Sequence, residues 1–258
     1  MKQIAYSLKS LKDGEIPDEG TMSIMLVQRG TTYKGTASLK EADPTVFDVE
    51  SEEYPGQPDE SFTIDGVITL VFSTYDYDAA QLVAYKGGEI AADGAWEKPL
   101  QNPEIERSFQ TIAKDGTLVE IPRGKLRSKI NYEMKQDGVG LLENTVTVLK
   151  PTGAGVKALR ISKYVAPVVN AGADQPGVVL ANAALLGTAV AYRGTIVSKL
   201  WTCTSKPVGA ADPGITTPAA LATNITGLVD GVYVFQLAAT DSNDFTGTDK
   251  VTVTVDVA

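Results

Sequence analysis

The residues best suited to chemistry lie in one run, EADPTVFDVESEEYPGQPDESF, which spans Glu41 to Phe62. This acidic run holds eight acidic residues and no Lys or Arg. Two opposed carboxylates can act as acid and base in glycoside hydrolysis, and clustered carboxylate oxygens can bind calcium. The run fits neither chemistry well, because its carboxylates share one proline-containing loop and because EF-hand spacing is absent. A solvated loop and an assembly surface are the two interpretations that remain.

The acidic run has features that favour an assembly surface over a plain spacer. Three prolines restrict its backbone to extended or turn conformations, and three large apolar side chains provide anchors that a spacer would not need. These residues are Pro44, Pro55, Pro58, Phe47, Val49 and Tyr54. The candidate interface carboxylates are Asp48, Glu50, Glu52, Glu53, Asp59 and Glu60.

The composition disfavours most other chemistries. The chain of 258 residues contains no histidine, which is the commonest general base and the commonest zinc ligand. Its single cysteine, Cys203, cannot form an internal disulfide, and the sequence has no cysteine cluster that would hold a metal. We therefore expect no enzymatic activity, no catalytic residues, no cofactor and no metal.

Charge and hydropathy narrow the partners and the location. The net charge of −9 argues against a protein that wraps nucleic-acid phosphates. The apolar share of 43% is enough for a sizeable core, and no apolar run has the length of a membrane span. The N-terminal residues lack the pattern of a signal peptide. We expect a protein made in a cytoplasm, with no membrane partner.

A second charged stretch, KLRSKINYEMK, begins at Lys125 and alternates with period two, which predicts a strand with two unlike faces. The apolar face would contain Leu126, Ser128, Ile130, Tyr132 and Met134. The other face would carry Lys125, Arg127, Lys129 and Lys135 against Glu133 alone. An ordinary solvated strand face is one interpretation. The hypothesis of interest is that these cations meet the acidic run, within a subunit or between subunits.

The elements around these two stretches are mostly strands. VITLVFST predicts a central strand that is covered on both faces, and ENTVTVLK predicts another strand. Asp65-Gly66 indicates a turn or bulge, and Lys114-Asp115-Gly116 indicates a hairpin turn. One helix is predicted from an N-cap at Asp76, with Ala79, Leu82, Val83 and Lys86 at helical spacing and Gly87-Gly88 at its end, and it would cover one face of a sheet.

The composition changes near residue 165, where charge becomes scarce and Ala, Val, Thr and Gly increase. We predict a first domain at residues 1–165, a linker at Ala166-Pro167, and a second domain at residues 166–258. The second part contains several short strand patterns, among them the alternating VTVTVDV from Val251 to Val257. Such a series of strands in about ninety residues is typical of an immunoglobulin-like sandwich.

The C-terminal part resembles the polycystic-kidney-disease (PKD) type of Ig-like module. The matching pieces are NAGADQ, GTIVSKLWT, GLVDGVYVFQLAATDSN and VTVTV. The resemblance implies that Trp201 packs across the sandwich, that Tyr233 lies near a strand-edge corner, and that Gly172 and Gly231 serve turns. Loop aspartates at positions 174, 241 and 244 suggest calcium only weakly, because turn aspartates are commoner than ligands.

The N-terminal part, over residues 20–150, resembles phage tail tube (major tail) proteins. The matching pieces are DPTVFDVESEEYPGQPDES, VITLVFS, DAAQLVAYKGGE, WEKP, IERSFQTIAKDGTLVEIPRGKL and TVTVLKP. The resemblance implies a small β-sandwich or barrel with one flanking helix, which forms hexameric rings that stack into a tube conducting DNA. Tape measure and tail terminator proteins would be its neighbours in the virion. An acidic lumen would let DNA slide without binding.

The expected fold class is therefore mainly β: a tail-tube-like domain followed by an Ig-like sandwich. The expected function is that of a structural virion protein assembled in the host cytoplasm, with the Ig-like domain facing outward because a sandwich would obstruct the lumen. Two alternatives remain open. One is a bacterial surface or secreted protein that binds glycan or protein through its Ig-like module, and the other is a glycan-cleaving enzyme.

Overall fold

The computed structural model describes residues 7–54, 56–136, 138–178 and 182–256. Within them the chain is mainly β with one short helix, so the expected fold class is confirmed. Two compact units are present, Met1–Lys163 (unit 1) and Tyr164–Ala258 (unit 2), and this division falls two residues before the predicted boundary. In the described part of the chain, no helix has the length and apolarity needed to cross a bilayer.

Unit 1 contains eleven strands and one helix among its described residues. They are β1 (Leu8–Gly14), β2 (Ser38–Glu41), β3 (Thr45–Glu50), β4 (Pro58–Ile64), β5 (Ile68–Thr74), α1 (Ala79–Lys86), β6 (Glu89–Ile90), β7 (Trp96–Glu97), β8 (Ile105–Ala113), β9 (Thr117–Asn131), β10 (Leu141–Val148) and β11 (Arg160–Lys163).

A seven-stranded antiparallel sheet forms the framework of unit 1, in the order β1-β8-β9-β10-β5-β2, with β11 beside the first part of β9. The predicted hairpin around Gly116 is confirmed as the β8–β9 turn, and β5 is an interior strand as predicted, paired with β10 and β2. Phe72, Phe109 and Leu142 lie in the core with no exposed surface. At Gly124 a side chain would collide with Val146, so glycine permits close packing there.

The helix begins later than its sequence predicts. Its N-cap is Asp78, whose carboxylate accepts a hydrogen bond from the backbone N–H of Gln81 at 2.7 Å. The predicted N-cap, Asp76, instead accepts hydrogen bonds from the backbone N–H and the hydroxyl of Thr31. The helix ends at Lys86, before Gly87, as predicted.

The helix α1 packs on the core of unit 1 through both apolar and polar side chains. Leu82, from the predicted set, is partly buried against the core. The most buried residues of the helix, however, are Gln81 and Tyr85. Gln81 and Tyr85 can be buried because both have polar partners. The Gln81 amide donates to the Thr74 hydroxyl at 3.1 Å, and the Tyr85 hydroxyl donates to the buried Asp13 carboxylate at 2.8 Å. Arg29 and Arg107 pair with the same carboxylate, so a charged cluster lies beneath the helix.

The strand predicted from KLRSKINYEMK is real but shorter at its C-terminal end. β9 pairs with β10 only as far as Asn131 opposite Leu141. Tyr132 and Met134 therefore lie beyond the paired region, and both are exposed instead of lying on a buried apolar face. Strand β9 ends at Asn131 because β10 provides no paired residue beyond Leu141, although the alternating residue pattern continues.

Unit 2 contains nine strands among its described residues. They are β12 (Val168–Asn170), β13 (Gln175–Val178), β14 (Asn182–Leu186), β15 (Thr188–Val190), β16 (Ile196–Ser205), β17 (Gly214–Ile215), β18 (Ala222–Thr226), β19 (Gly231–Asp241) and β20 (Thr246–Val255). They form a four-stranded sheet β13-β20-β19-β16, a three-stranded sheet β14-β18-β17 and the pair β12-β15. Residues 179–181 and Val257, which belong to predicted strands, lie outside the described residues.

Candidate assembly surface

The acidic run forms a β-hairpin, and not the loop that its prolines suggested. Strands β3 and β4 pair antiparallel, with Phe47 opposite Phe62 and Asp48 opposite Ser61. The hairpin, Thr45–Ile64, is called the arm below. Every residue of both strands is exposed to solvent. Pro58 opens β4, and Pro55 lies outside the described residues.

The two faces of the arm differ in chemistry. Because side chains alternate along a strand and paired residues share a face, four apolar residues lie together on one side. These residues are Phe47, Val49, Phe62 and Ile64, with Glu60 opposite Val49 at the end of the same face and Val46 on the other face. The rings of Phe47 and Phe62 are 60% and 51% exposed, so the supposed anchors Phe47, Val49 and Tyr54 are not buried within the subunit. Contiguous exposed apolar patches on a protein surface often mark the site of an interaction with another molecule.

The base of the arm is tied to the sheet. The chain passes from β2 into β3 and from β4 into β5, so the arm extends the β2–β5 ribbon beyond the sheet. At this junction the Ala42 N–H donates to the Val67 carbonyl at 3.0 Å. A side chain on Gly66 would collide with the Ala42 carbonyl oxygen, which explains the glycine at the predicted turn.

The arm carboxylates have few partners. Asp48 accepts a hydrogen bond from the Ser61 hydroxyl at 2.5 Å, and Glu50 accepts one from the Gly56 N–H at 3.2 Å. Glu52 and Glu53 lie in the turn, and Asp59 and Glu60 lie on β4. In the described part of the chain, none of the six candidate carboxylates forms an ion pair.

The basic candidates are less available than their sequence suggested. Lys125 pairs with Glu104, Lys129 with Glu143 at 3.8 Å, and Lys135 with Glu133 at 2.8 Å. Only Glu133 was anticipated, because Glu104 and Glu143 reach the strand face from neighbouring elements. Arg127 is exposed and makes no ion pair with any described residue. The structure thus does not join the acidic and basic candidates within one subunit.

A pocket of about 390 Å³ lies where the end of α1 meets β9. Its lining consists of Tyr85, Lys86, Asn102, Pro103, Glu104, Leu126, Arg127 and Ser128. The Lys86 ammonium donates to the Ser128 carbonyl at 2.8 Å. Burial, together with the nearby charge of Lys98, lowers the pKa of Lys86. The Lys125 ammonium lowers the pKa of the Glu104 carboxyl. We call this feature the basic pocket.

Sequence reasoning missed part of this surface. The alternation TVFDVE followed by PDESFTI is a strand signal on each side of a turn, and it would have revealed Phe62 and Ile64 as partners of the noted Phe47 and Val49. The helical spacing includes Lys86, and Lys98 belongs to the matching piece WEKP. That Lys86 and Arg127 line one pocket, with Lys98 near Lys86, depends on tertiary packing, which no local pattern shows.

The loop aspartates of unit 2 have structural partners. The buried Asp241 carboxylate accepts hydrogen bonds from the backbone N–H groups of Asn243 and Phe245 and from the Tyr164 hydroxyl. Asp174 accepts one from the Thr252 N–H at 2.7 Å. Among the described residues, no group of three or more His, Cys, Asp or Glu side chains is placed to hold a metal ion.

The centre of unit 2 is a packed apolar core. Trp201, 1% exposed, donates from its indole N–H to the Leu221 carbonyl at 3.4 Å. Tyr233 is fully buried, and its hydroxyl accepts a hydrogen bond from the Val229 N–H at 3.1 Å. Gly172 and Gly231 both adopt positive φ angles, of 91° and 129°. The Trp201 hydrogen bond links β16 to the segment that leads into β18, which belongs to the other sheet.

Unit 2 is similar to proteins of a known family. Residues 171–255 match a family model described as K319L-like, PKD domain. Among solved structures, the solution structure of the PKD domain from KIAA 1837 protein is 26% identical, with a TM-score of 0.30, and the match covers 34% of this chain and 85% of that chain. A search of the curated proteins gives no match. Residues 171–255 form an Ig-like β-sandwich that is similar to PKD domains.

Proposed function

We propose that this protein is a structural subunit of a phage tail tube. Unit 1 forms hexameric rings, the rings stack, and the resulting tube conducts DNA. The subunit catalyses no reaction and needs no cofactor. It is made in the host cytoplasm and becomes part of the virion, where tape measure and tail terminator proteins contact the tube.

The observation that carries this proposal is the arm. A two-stranded hairpin is at best marginally stable alone in water, and this one also exposes an apolar face. Both features are explained if a neighbouring copy covers the arm in the assembled protein. A contact in which one surface of a copy binds a different surface of the next copy is heterologous, and such contacts close into rings or propagate as filaments.

The edge strands of the main sheet support the same proposal. Strands β1 and β2 are the last strands of the seven-stranded sheet, and among the described residues Val27 bridges β1 at Asp13. Edge strands can pair with strands of a neighbour, and continuous pairing around a ring would produce one closed inner barrel. The sheet edges would then join subunits around the ring, and the arm would join subunits or successive rings.

Unit 2 has a separate part in the proposal. We place it on the outside of the tube, where it decorates the surface or contacts a glycan or protein of the host. Its framework does not select between these, because Ig-like folds carry many unrelated functions.

Electron microscopy of the purified full chain, over a range of concentrations, tests the proposal. We expect rings and stacked tubes at high concentration, and sedimentation velocity should show the matching increase in mass. A protein that stays monomeric at every concentration and salt condition would contradict a tube-forming role.

A surface or secreted binding protein is the second candidate, favoured by the outward face of the β16–β19–β20 sheet. This face is nearly uncharged and carries Leu200 and Val232, each about half exposed, beside a series of threonines. Lys250 is its only charged described residue. Saturable binding of a host glycan or protein by a chain that never assembles would favour this candidate.

A further inference from the structure

We propose that the basic pocket receives the turn carboxylates of the arm, Glu52 and Glu53, from a second copy of the chain. The inference rests on the proposed assembly role of unit 1 and names the contact that would join two subunits. It replaces the broad basic strand face with one site, to which Lys86 and Lys98 contribute.

Charge counts give the first argument. Residues 1–165 contain 19 basic and 25 acidic residues, a net charge of −6. The acidic run holds eight of these acidic residues and none of the basic ones, which leaves 19 against 17 elsewhere, a net charge of +2. The acidic run therefore carries more than the whole net negative charge of this part. Its attraction to the remainder of a neighbouring copy gives association a defined orientation.

The state of the arm carboxylates gives the second argument. Asp48 and Glu50 are occupied by hydrogen bonds within the hairpin. Glu52 and Glu53 are exposed in the turn, and the described residues offer them neither a hydrogen-bond donor nor an ion-pair partner. They are the carboxylates best placed to enter a site on another molecule.

The basic pocket gives the third argument, because it holds an excess of positive charge in a concave site. Lys86 and Arg127 line it, Lys98 lies near Lys86, and Lys125 is already paired with Glu104. The lining thus holds two cations against one carboxylate, Glu104, which is itself paired with Lys125. Lys86 is also partly desolvated, so a carboxylate that entered the pocket would interact with it more strongly than with a fully hydrated lysine.

Site-specific cross-linking tests this contact directly. The chain has one cysteine, Cys203, so Cys203→Ser gives a cysteine-free background. Full-length Glu52→Cys and Arg127→Cys chains are mixed in equal amounts under mild oxidation, and mass spectrometry identifies the disulfide-linked peptides. We expect the mixed disulfide between the two variants to dominate. A Lys34→Cys chain, altered at another exposed lysine of unit 1, is the matched control and should not form it.

Charge reversal provides the second measurement. Lys86→Glu with Arg127→Glu should raise the concentration needed for assembly about tenfold or more, and adding Glu52→Lys with Glu53→Lys in the same chain should restore part of the loss. Lys34→Glu should change it much less. Assembly of the wild-type protein should also weaken as salt is raised.

The outcomes separate this contact from the proposed function. Rings or tubes without the mixed disulfide would overturn the contact and leave the tube proposal intact. The mixed disulfide in a protein that never forms rings would support the contact and contradict the tube. Mixed disulfides that form equally with the Lys34→Cys control would overturn the contact, because they would reflect random collision.

Discussion

Two hairpins of this chain have similar residue patterns and opposite burial. In unit 2, β19 and β20 alternate apolar and polar residues, and Tyr233, Phe235, Val251 and Val253 are almost completely buried. In unit 1, the arm also alternates, but its apolar face is open to solvent. The first hairpin lies in a sandwich that supplies a second layer. The arm extends beyond its sheet, where no described element of unit 1 covers it.

The difference shows what a period-two pattern determines. Alternation sets which residues share a face of the strand, because the strand repeat is two residues. It does not determine what covers that face. When the covering surface belongs to the same unit, the pattern contributes to the stability of the subunit. Where that surface is missing, the same pattern indicates a partner, and substitutions should then affect association more than folding.

The largest expected effect on stability is in the core of unit 2, which buries one face of the β19–β20 hairpin. Trp201→Ala removes a large side chain that packs against β19, and it should lower the free energy of unfolding of unit 2 by about 3–5 kcal/mol. Urea unfolding followed by circular dichroism measures this, and hydrogen exchange in peptides from β19 and β20 localises the loss.

Leu200→Ala, one residue earlier on the outward side of β16, is the matched control and should cost no more than about 1 kcal/mol. Equal losses for the two variants would mean that the sandwich core does not stabilise unit 2 as described.

For the arm we expect a small effect on stability and a large effect on assembly. Phe47→Ser combined with Phe62→Ser replaces two exposed rings, so the free energy of unfolding should change by no more than about 0.5 kcal/mol. Assembly should be lost or should need a much higher concentration, because the face that a neighbour would cover is no longer apolar.

Sedimentation velocity and electron microscopy measure the assembly of the arm variant, and thermal unfolding of the monomer measures its stability. Tyr75→Ser, at another exposed ring of unit 1, serves as a control. A variant that unfolds easily but still assembles would reverse the comparison between the two hairpins.

The sequence predicted the elements better than it predicted the candidate site. The hairpin around Gly116, the interior strand β5, the single helix and the sandwich of unit 2 all followed from local patterns. In the arm, prolines and clustered charges obscure the alternation and favour the prediction of a loop. The helical spacing did not reveal Gln81 and Tyr85 as the most buried residues of α1, because each is held by a polar partner outside the helix, Thr74 and Asp13.

The missed ion pairs have the same cause. Lys125 and Lys129 appeared to have only Glu133 as an acidic neighbour on their strand, whereas their partners Glu104 and Glu143 come from other segments. A net charge counted along one strand therefore overestimates the charge that the folded surface offers. Arg127 differs because no carboxylate of the described residues pairs with it, and this difference could only be read from the packed structure.

The smallest expected effect concerns two hairpin turns with unlike carboxylates. Asp115, in the β8–β9 turn, accepts a hydrogen bond from the Lys163 ammonium at 2.6 Å, and this bond, with help from the N–H and hydroxyl of Thr117, lowers its pKa to about 2. Because the folded-state pKa lies below the ordinary value, the stabilisation is complete above that ordinary value and is lost as the pH falls through about 2. The urea midpoint of unit 1 should therefore fall more between about pH 4 and pH 2 in the wild type than in Lys163→Met.

Glu52→Gln with Glu53→Gln, which alters the unpaired carboxylates of the arm turn, should leave the wild-type pH dependence unchanged. If the arm variant flattened the curve and Lys163→Met did not, the arm carboxylates would contribute to folding, and the contrast between a turn stabilised within its own subunit and one that awaits a partner would fail.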